Sequence, residues 1–201
     1  MFPLGSVLVP GGVLTLHVFE PRYRALVQDC IASADHEFGV VLIDRGHEVG
    51  GGDVRRSIGT IARMVQVAEL DDGRFAVVAV GMRRLRVDEW LPDDPYPSAA
   101  VTELPDDDSL PVSDDAVRAV VARTRRAAAT ALELGDDATD LGTDLSDDAH
   151  IVSYQLIDLA PIGPADAYAL LAAPGPHARL LALEQVLDTV EATQAFRLQS
   201  S

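Results

Sequence analysis

The apolar residues change their period near residue 104, and this change constrains the fold more than any other feature of the chain. From Val7 to Leu104 they come in short alternating runs rich in Val and Ile, punctuated by Gly and Pro, which is the two-residue period of strands. From Ser113 onward they recur every three or four residues in long alanine- and leucine-rich stretches, which is the period of helices. Between the two, Leu104–Val112 holds two prolines and three successive aspartates, a composition that packs poorly and turns readily. The expected fold class is therefore α+β: a β-rich subdomain with one inserted helix over 1–104, a linker over 105–112 and a helical-bundle subdomain over 113–201.

Within the β-rich part, Val7–Val9 and Leu14–Val18 flank a Pro10-Gly11-Gly12 turn, and Phe38–Ile43 reads as a strand buried on both faces. Ile58–Leu70 and Arg74–Val80 are joined by Asp71-Asp72-Gly73, a strong hairpin signal, and Leu85–Trp90 continues the meander after Gly81. Short strands without helices between them favour a small barrel or curled sheet over a parallel α/β sheet. The inserted helix opens at Pro21, with Tyr23, Leu26, Val27, Cys30 and Ile31 as its apolar stripe. Four more helices are expected. One is capped by Ser113, turns Val117, Val120, Val121, Thr124, Ala128 and Leu132 inward, and stops at Gly135; the others open at Ser146, at Pro164 and near His177.

With 201 residues, 48% of them apolar, the chain has enough apolar side chains for a sizeable core. Its 32 acidic residues outnumber 16 basic ones, a net charge of −16 that repels phosphate backbones and anionic membranes, so neither nucleic acid nor a membrane is the expected partner. Every basic residue is arginine; the absence of lysine excludes lysine-dependent chemistry. The single cysteine, Cys30, makes an intramolecular disulfide impossible and fits a reducing cytoplasm, the expected location. The first 19 residues are uncharged, but Pro3, Pro10, Gly11 and Gly12 interrupt them and no basic segment precedes them, so no targeting segment is expected.

No catalytic or metal constellation emerges from the spacings. His17 and Glu20, with His36 and Glu37 further on, lack any pattern that would bring ligands onto one helix face, and His150 and His177 lie near helix starts with no shared pattern. Cys30 sits on the apolar stripe, where a thiol behaves as a small hydrophobe. Gly50-Gly51-Gly52-Asp53 is followed by Val54-Arg55 rather than the Lys-Ser of a phosphate-binding loop and reads as a hairpin loop. Arg55, Arg56, Arg63, Arg83, Arg84 and Arg86 are the one basic concentration, yet residues 1–104 carry ten arginines against 15 acids. Because Arg84 and Arg86 alternate with Leu85 and Val87, they read as the solvated face of a strand. The aspartate-rich stretch from Asp136 to Asp148 lacks calcium-loop spacing and reads as a solvated connection.

The opening segment Met1–Tyr23, with Phe2-Pro3-Leu4, Pro10-Gly11 and then Leu16-His17-Val18-Phe19-Glu20-Pro21-Arg22-Tyr23, resembles the amino-terminal, substrate-binding domain of Lon proteases in its free-standing bacterial form. The likeness continues through Phe38-Gly39-Val40-Val41, Gly59-Thr60-Ile61-Ala62, Asp72-Gly73-Arg74 and Gly81, and less specifically through Pro161–Leu171 and Arg179-Leu180. It implies a PUA-like β-barrel followed by a helical bundle, in a region that in the full protease engages substrate proteins and assists assembly. The full protease also uses a phosphate-binding loop and a lysine-activated serine; this chain has no such loop motif and no lysine, so no enzyme activity is expected of it. Pro10, Gly11, Phe19, Glu20, Pro21 and Tyr23 read as residues that set backbone geometry. The resemblance points to a polypeptide or protein partner, linked to protein quality control; from the residue spacings no cofactor and no metal are expected. The candidate contacts are Arg22, Arg24 and the loop around His47, which are available without disturbing the core. The alternative is a small-molecule or nucleotide-like ligand in a barrel pocket; a hydrolase comes third, with no residues to name.

Overall fold

The structure, a computed structural model, describes residues 1–45, 54–136 and 141–200, and divides into two compact units, Met1–Pro105 and Asp106–Ser201. Among the described residues the first unit holds six strands and one helix: β1 (Phe2–Leu4), β2 (Val13–Val18), α1 (Pro21–Ala32), β3 (Glu37–Arg45), β4 (Val54–Glu69), β5 (Phe75–Leu91) and β6 (Ser98–Glu103). The strands form one mixed sheet in the order β1-β3-β4-β5-β2, with β6 pairing the second half of β5 on the edge where β2 pairs the first. Only β1 and β3 are parallel. Among the described residues no pairing joins β1 to β2, so the sheet is open there and the expected closed barrel is not confirmed.

Three expectations for this unit change. Val7–Val9 is not a strand, because its carbonyls are spent elsewhere: Leu8 O accepts the Thr60 hydroxyl at 2.5 Å and Val9 O accepts Gly12 N–H at 3.0 Å. The Pro10-Gly11-Gly12 turn docks instead on β5, with Gly11 N–H bonded to Gly81 O at 2.8 Å and Gly81 N–H to Gly12 O at 2.9 Å. Secondly, Arg74–Val80 and Leu85–Trp90 belong to a single strand, β5, in which Met82 is the extra residue of a bulge opposite Ile61 and Ala62. Thirdly, Arg84 is buried rather than solvated; the chain leaving β6 folds over it, Leu104 N–H donating to Arg84 O at 3.0 Å and the Arg84 guanidinium to Pro105 O at 3.1 Å.

Helix α1 buries Tyr23, Leu26, Val27 and Cys30 against the sheet, but Ile31 is 46% exposed. At 3.6 residues per turn Ile31 stands about 90° from the centre of that stripe. The same geometry corrects the inward face of α2 (Asp114–Glu133) in the second unit, which buries Val117, Val120, Thr124, Ala127, Ala128 and Ala131 while Leu132 is exposed and Val121 half-buried. The second unit continues with α3 (Ala149–Leu159), α4 (Pro164–Ala172) and α5 (Pro176–Ser200). Asp148, not Ser146, caps α3, accepting His150 N–H at 2.8 Å and Ile151 N–H at 3.3 Å. Ser146 is occupied in the preceding turn, its hydroxyl accepting Asp148 N–H.

The centre of this unit is polar. Arg179, fully buried on α5, donates to Asp106 at 2.8 Å, to the Ser153 hydroxyl at 2.7 Å, to the Tyr154 hydroxyl at 2.8 Å and to Leu170 O at 3.3 Å. Its guanidinium also lies 3.7 Å from the centroid of the Tyr154 ring. Asp107 N–H donates to Pro174 O at 2.9 Å, so the start of the acidic segment is bound into the unit rather than loose.

Candidate functional site

The strand-to-helix corner after β2 gathers most of the opening motif. Glu20 precedes Pro21, the first residue of α1, and Tyr23 is buried under the stacked ring of Phe2, centroids 4.2 Å apart. Arg22 donates to Glu20 at 3.0 Å and covers the other side of this corner, 4.5 Å over the Tyr23 ring. Phe19 is 54% exposed, and Pro10 and Gly11 belong to the separate turn on β5. Arg24 stands beside Gly73 at the β4–β5 turn, so near that a side chain on Gly73 would meet its guanidinium, and its Nε has no hydrogen-bond partner among the described residues. His47 and the Gly50–Asp53 run lie outside the described residues. Arg22 and Arg24 thus serve different neighbours and do not converge on one site.

A cleft lies at the other end of α1, and the spacings in the sequence do not point to it. It encloses about 410 Å³ and is lined by Ile31, His36, Met64, Val65, Gln66, Val67, Glu69 and Phe75. One wall is the end of α1 and the turn after it; the other is the final stretch of β4. β3 begins at Glu37, opposite Arg63, and Met64 N–H donates to His36 O at 3.0 Å; past that point no strand pairs β4 on this side among the described residues. Val65–Glu69 is therefore a free sheet edge beside a cleft. His36 makes this possible: its φ of 54° turns the chain sharply into β3, and its ring Nδ1 donates to Cys30 O at 2.9 Å, since a carbonyl can only accept.

The cleft is mainly apolar. Ile31 and Val65 are 46% and 59% exposed, and Met64 and Phe75 are buried at its floor. Cys30, just behind it, is buried with its thiol directed to Glu37 O at 3.4 Å, and burial pushes the thiol pKa up, away from nucleophile behaviour. Among the described residues no group of three His, Cys, Asp or Glu side chains is placed to hold a metal ion, and His17 is exposed on β2.

Glu37 anchors the wall next to the cleft. Both its oxygens accept from Arg83, at 3.0 and 2.9 Å, and Oε1 also accepts from Arg63 at 2.8 Å, tying β3, β4 and β5 together. The Arg83 hydrogen bonds, then those of Arg63, hold the Glu37 carboxyl below the usual glutamate range. A carboxyl whose folded pKa is depressed contributes stability that is complete above its unfolded value of about 4.3 and is lost as pH falls through the folded value. Glu37→Gln is therefore expected to lower stability at neutral pH and to flatten its decline between neutral and acid pH. Urea midpoints followed by Trp90 fluorescence measure this, and a variant with the parent's acid slope counts against the clamp.

Comparison with known proteins gives a consistent set of relatives. A family model described as the ATP-dependent protease La (LON) substrate-binding domain matches residues 1–189. The chain is 30% identical over 142 residues to a Lon protease of Anaeromyxobacter dehalogenans, covering 70% of this chain and 16% of that protein. It is 35% identical over 103 residues to Lon protease 2 of Myxococcus xanthus, covering 50% of this chain and 12% of that one. The chain thus spans less than a fifth of the length of these curated relatives. Among solved structures it is similar to a Lon N-terminal domain protein from Xanthomonas campestris, at a TM-score of 0.66 and 31% identity, covering 93% of this chain and 95% of that one. The N-terminal domain of a Mycobacterium avium complex Lon protease, at a TM-score of 0.56 and 20% identity over 92% of this chain and 96% of that one, shares the fold. No helix among the described residues is long and apolar enough to cross a membrane.

Proposed function

The chain belongs to the ATP-dependent protease La (LON) substrate-binding domain family, and from that premise we propose that it is a polypeptide-binding module which holds segments of other proteins and performs no chemistry on them, in the service of protein quality control. The observation that carries this reading is the cleft at the end of α1, where exposed Ile31 and Val65 flank buried Met64 and Phe75. An exposed apolar groove is the surface by which a binding module removes an unfolded segment from water. A compact small-molecule site would be closed around several rings or polar groups, whereas this cleft offers one aromatic side chain, Phe75. In this reading Arg24, beside Gly73, contacts the bound segment at the hairpin end, while Arg22 is already engaged by Glu20 and Tyr23.

The test is fluorescence anisotropy with a reduced, carboxymethylated unfolded protein as the probe. The expected result is saturable binding by the full chain that weakens at least tenfold in Ile31→Asp and Val65→Asp, both at exposed positions, with the parent's urea midpoint confirming that each variant is folded. Absence of binding by the parent chain, or binding by both variants equal to the parent's, overturns the proposal.

A further inference from the structure

Resting on that reading, we infer that the cleft takes its guest as an added β-strand: an extended, net basic segment of another protein that pairs backbone to backbone with Val65–Glu69.

The hydrogen-bond alternation of β4 sets the geometry. Leu70 N–H donates to Arg74 O at 2.8 Å, and the register continues as Glu69 opposite Phe75, Ala68 opposite Ala76, Val67 opposite Val77 and Gln66 opposite Val78. In an antiparallel ladder, pairs that exchange both bonds alternate with pairs that exchange none. Leu70, Ala68 and Gln66 thus spend their backbone groups on β5, and Val67 and Glu69 present theirs to the cleft. The shift of register between Met64 and Gln66 leaves Val65 as a bulge, and after it Val67 packs on the same core as Met64.

Exposed edges are usually blunted by charge, proline or a bulge. Past the Val65 bulge, Gln66-Val67-Ala68-Glu69 has no proline and no positive charge, and Ile31, Met64 and Phe75 line the flanking cleft where alternate side chains of a guest would sit. Charge selects the guest. Glu69 lines the cleft, and Asp71 and Asp72 follow it in the β4–β5 turn, where Arg74 is already bound to Asp72 at 2.6 Å and Arg24 stands beside Gly73. In a unit whose residues 1–104 carry 15 acids against ten arginines, this rim draws cationic segments and repels acidic ones.

The probe is a fluorescein-labelled eight-residue peptide of alternating Val and Thr with two flanking arginines, titrated with the full chain. Binding is expected to fall at least tenfold when alternate backbone nitrogens of the peptide are methylated in one register, and little in the other. Val67→Pro is expected to abolish the same binding, since it deletes an N–H that faces the cleft and none that faces β5; Val67→Thr, which changes the same side chain but keeps that N–H, is expected to retain at least tenfold more of the binding than Val67→Pro. Replacing the peptide's arginines by glutamates is expected to weaken binding at least threefold. Equal affinity for both methylation registers, or full binding by a Val67→Pro variant with the parent's urea midpoint, overturns strand addition while the carboxymethylated-protein result stands. Equal affinity for the glutamate peptide overturns the basic guest, and a concentration-dependent dimer that Val67→Pro abolishes without peptide binding assigns the edge to a second copy and overturns the proposal. If Val67→Pro fails to fold, the methylated peptides alone decide.

Discussion

Arg179→Ala is expected to destabilise the helical unit by about 3–5 kcal/mol, the usual consequence of removing one partner of a buried ion pair. Arg179 is fully buried and its guanidinium serves Asp106, Ser153, Tyr154 and the Leu170 carbonyl together. Alanine leaves the Asp106 carboxylate, only 11% exposed, without its cation. His150, with Nδ1 3.5 Å and Nε2 3.3 Å from Asp106 and Asp108, is half-exposed and too far from ideal geometry to replace it. Arg179→Lys is expected to recover only part of the loss, because a single ammonium cannot span a fork of acceptors. Arg179→Met combined with Asp106→Leu removes both charges and is expected to be more stable than Arg179→Ala. Urea unfolding followed by circular dichroism at helix wavelengths measures all three. An Arg179→Ala midpoint equal to the parent's sinks the argument.

Gly81→Ala is expected to destabilise the sheet unit by about 2–3 kcal/mol, an overpacking effect. A methyl on Gly81 would run into the Val9 carbonyl oxygen and press on Thr60 Cγ2 at 3.1 Å. The carbonyl cannot retreat cheaply, because the Val9–Gly12 turn is bonded to itself and twice to Gly81. Gly11→Ala offers the contrast: nothing lies within 4 Å of a methyl there, but φ is 83°, so the expected loss is the left-handed penalty alone, about 1–2 kcal/mol. Trp90, the single tryptophan, lies on β5 and reports the sheet unit by its fluorescence. Gly81→Ala with a midpoint above that of Gly11→Ala contradicts the clash.

Turns and helix ends were legible because Pro and Gly residues state backbone geometry locally: Pro21 starts α1, Gly73 turns the hairpin at φ 75° and Gly135 ends α2 at φ 83°. The errors share a cause. Ile31 and Leu132 are apolar and near the stripe in sequence, yet both stand about a quarter turn off it, and alanines at 127 and 131 take the buried places. Arg84 looked solvated by alternation until a bulge and the returning Leu104–Pro105 segment covered it. One trace of the cleft is present in the sequence: the strand pattern of Ile58–Leu70 runs thirteen residues against six for its neighbour Phe38–Ile43, and a strand that outruns its partner ends in a free edge.

What the amino-acid order alone determined was the change from strand to helix, the hairpin at Asp71–Gly73, the corner at Glu20–Pro21, and the absence of lysine, because propensity, turn geometry and composition act over a few residues. Tertiary structure decided that Asp106 finds Arg179 across 73 positions and that, among the described residues, the edge of Val65–Glu69 facing Ile31 has no strand partner. Ion pairing and strand pairing depend on which distant segments meet, and no local period carries that information.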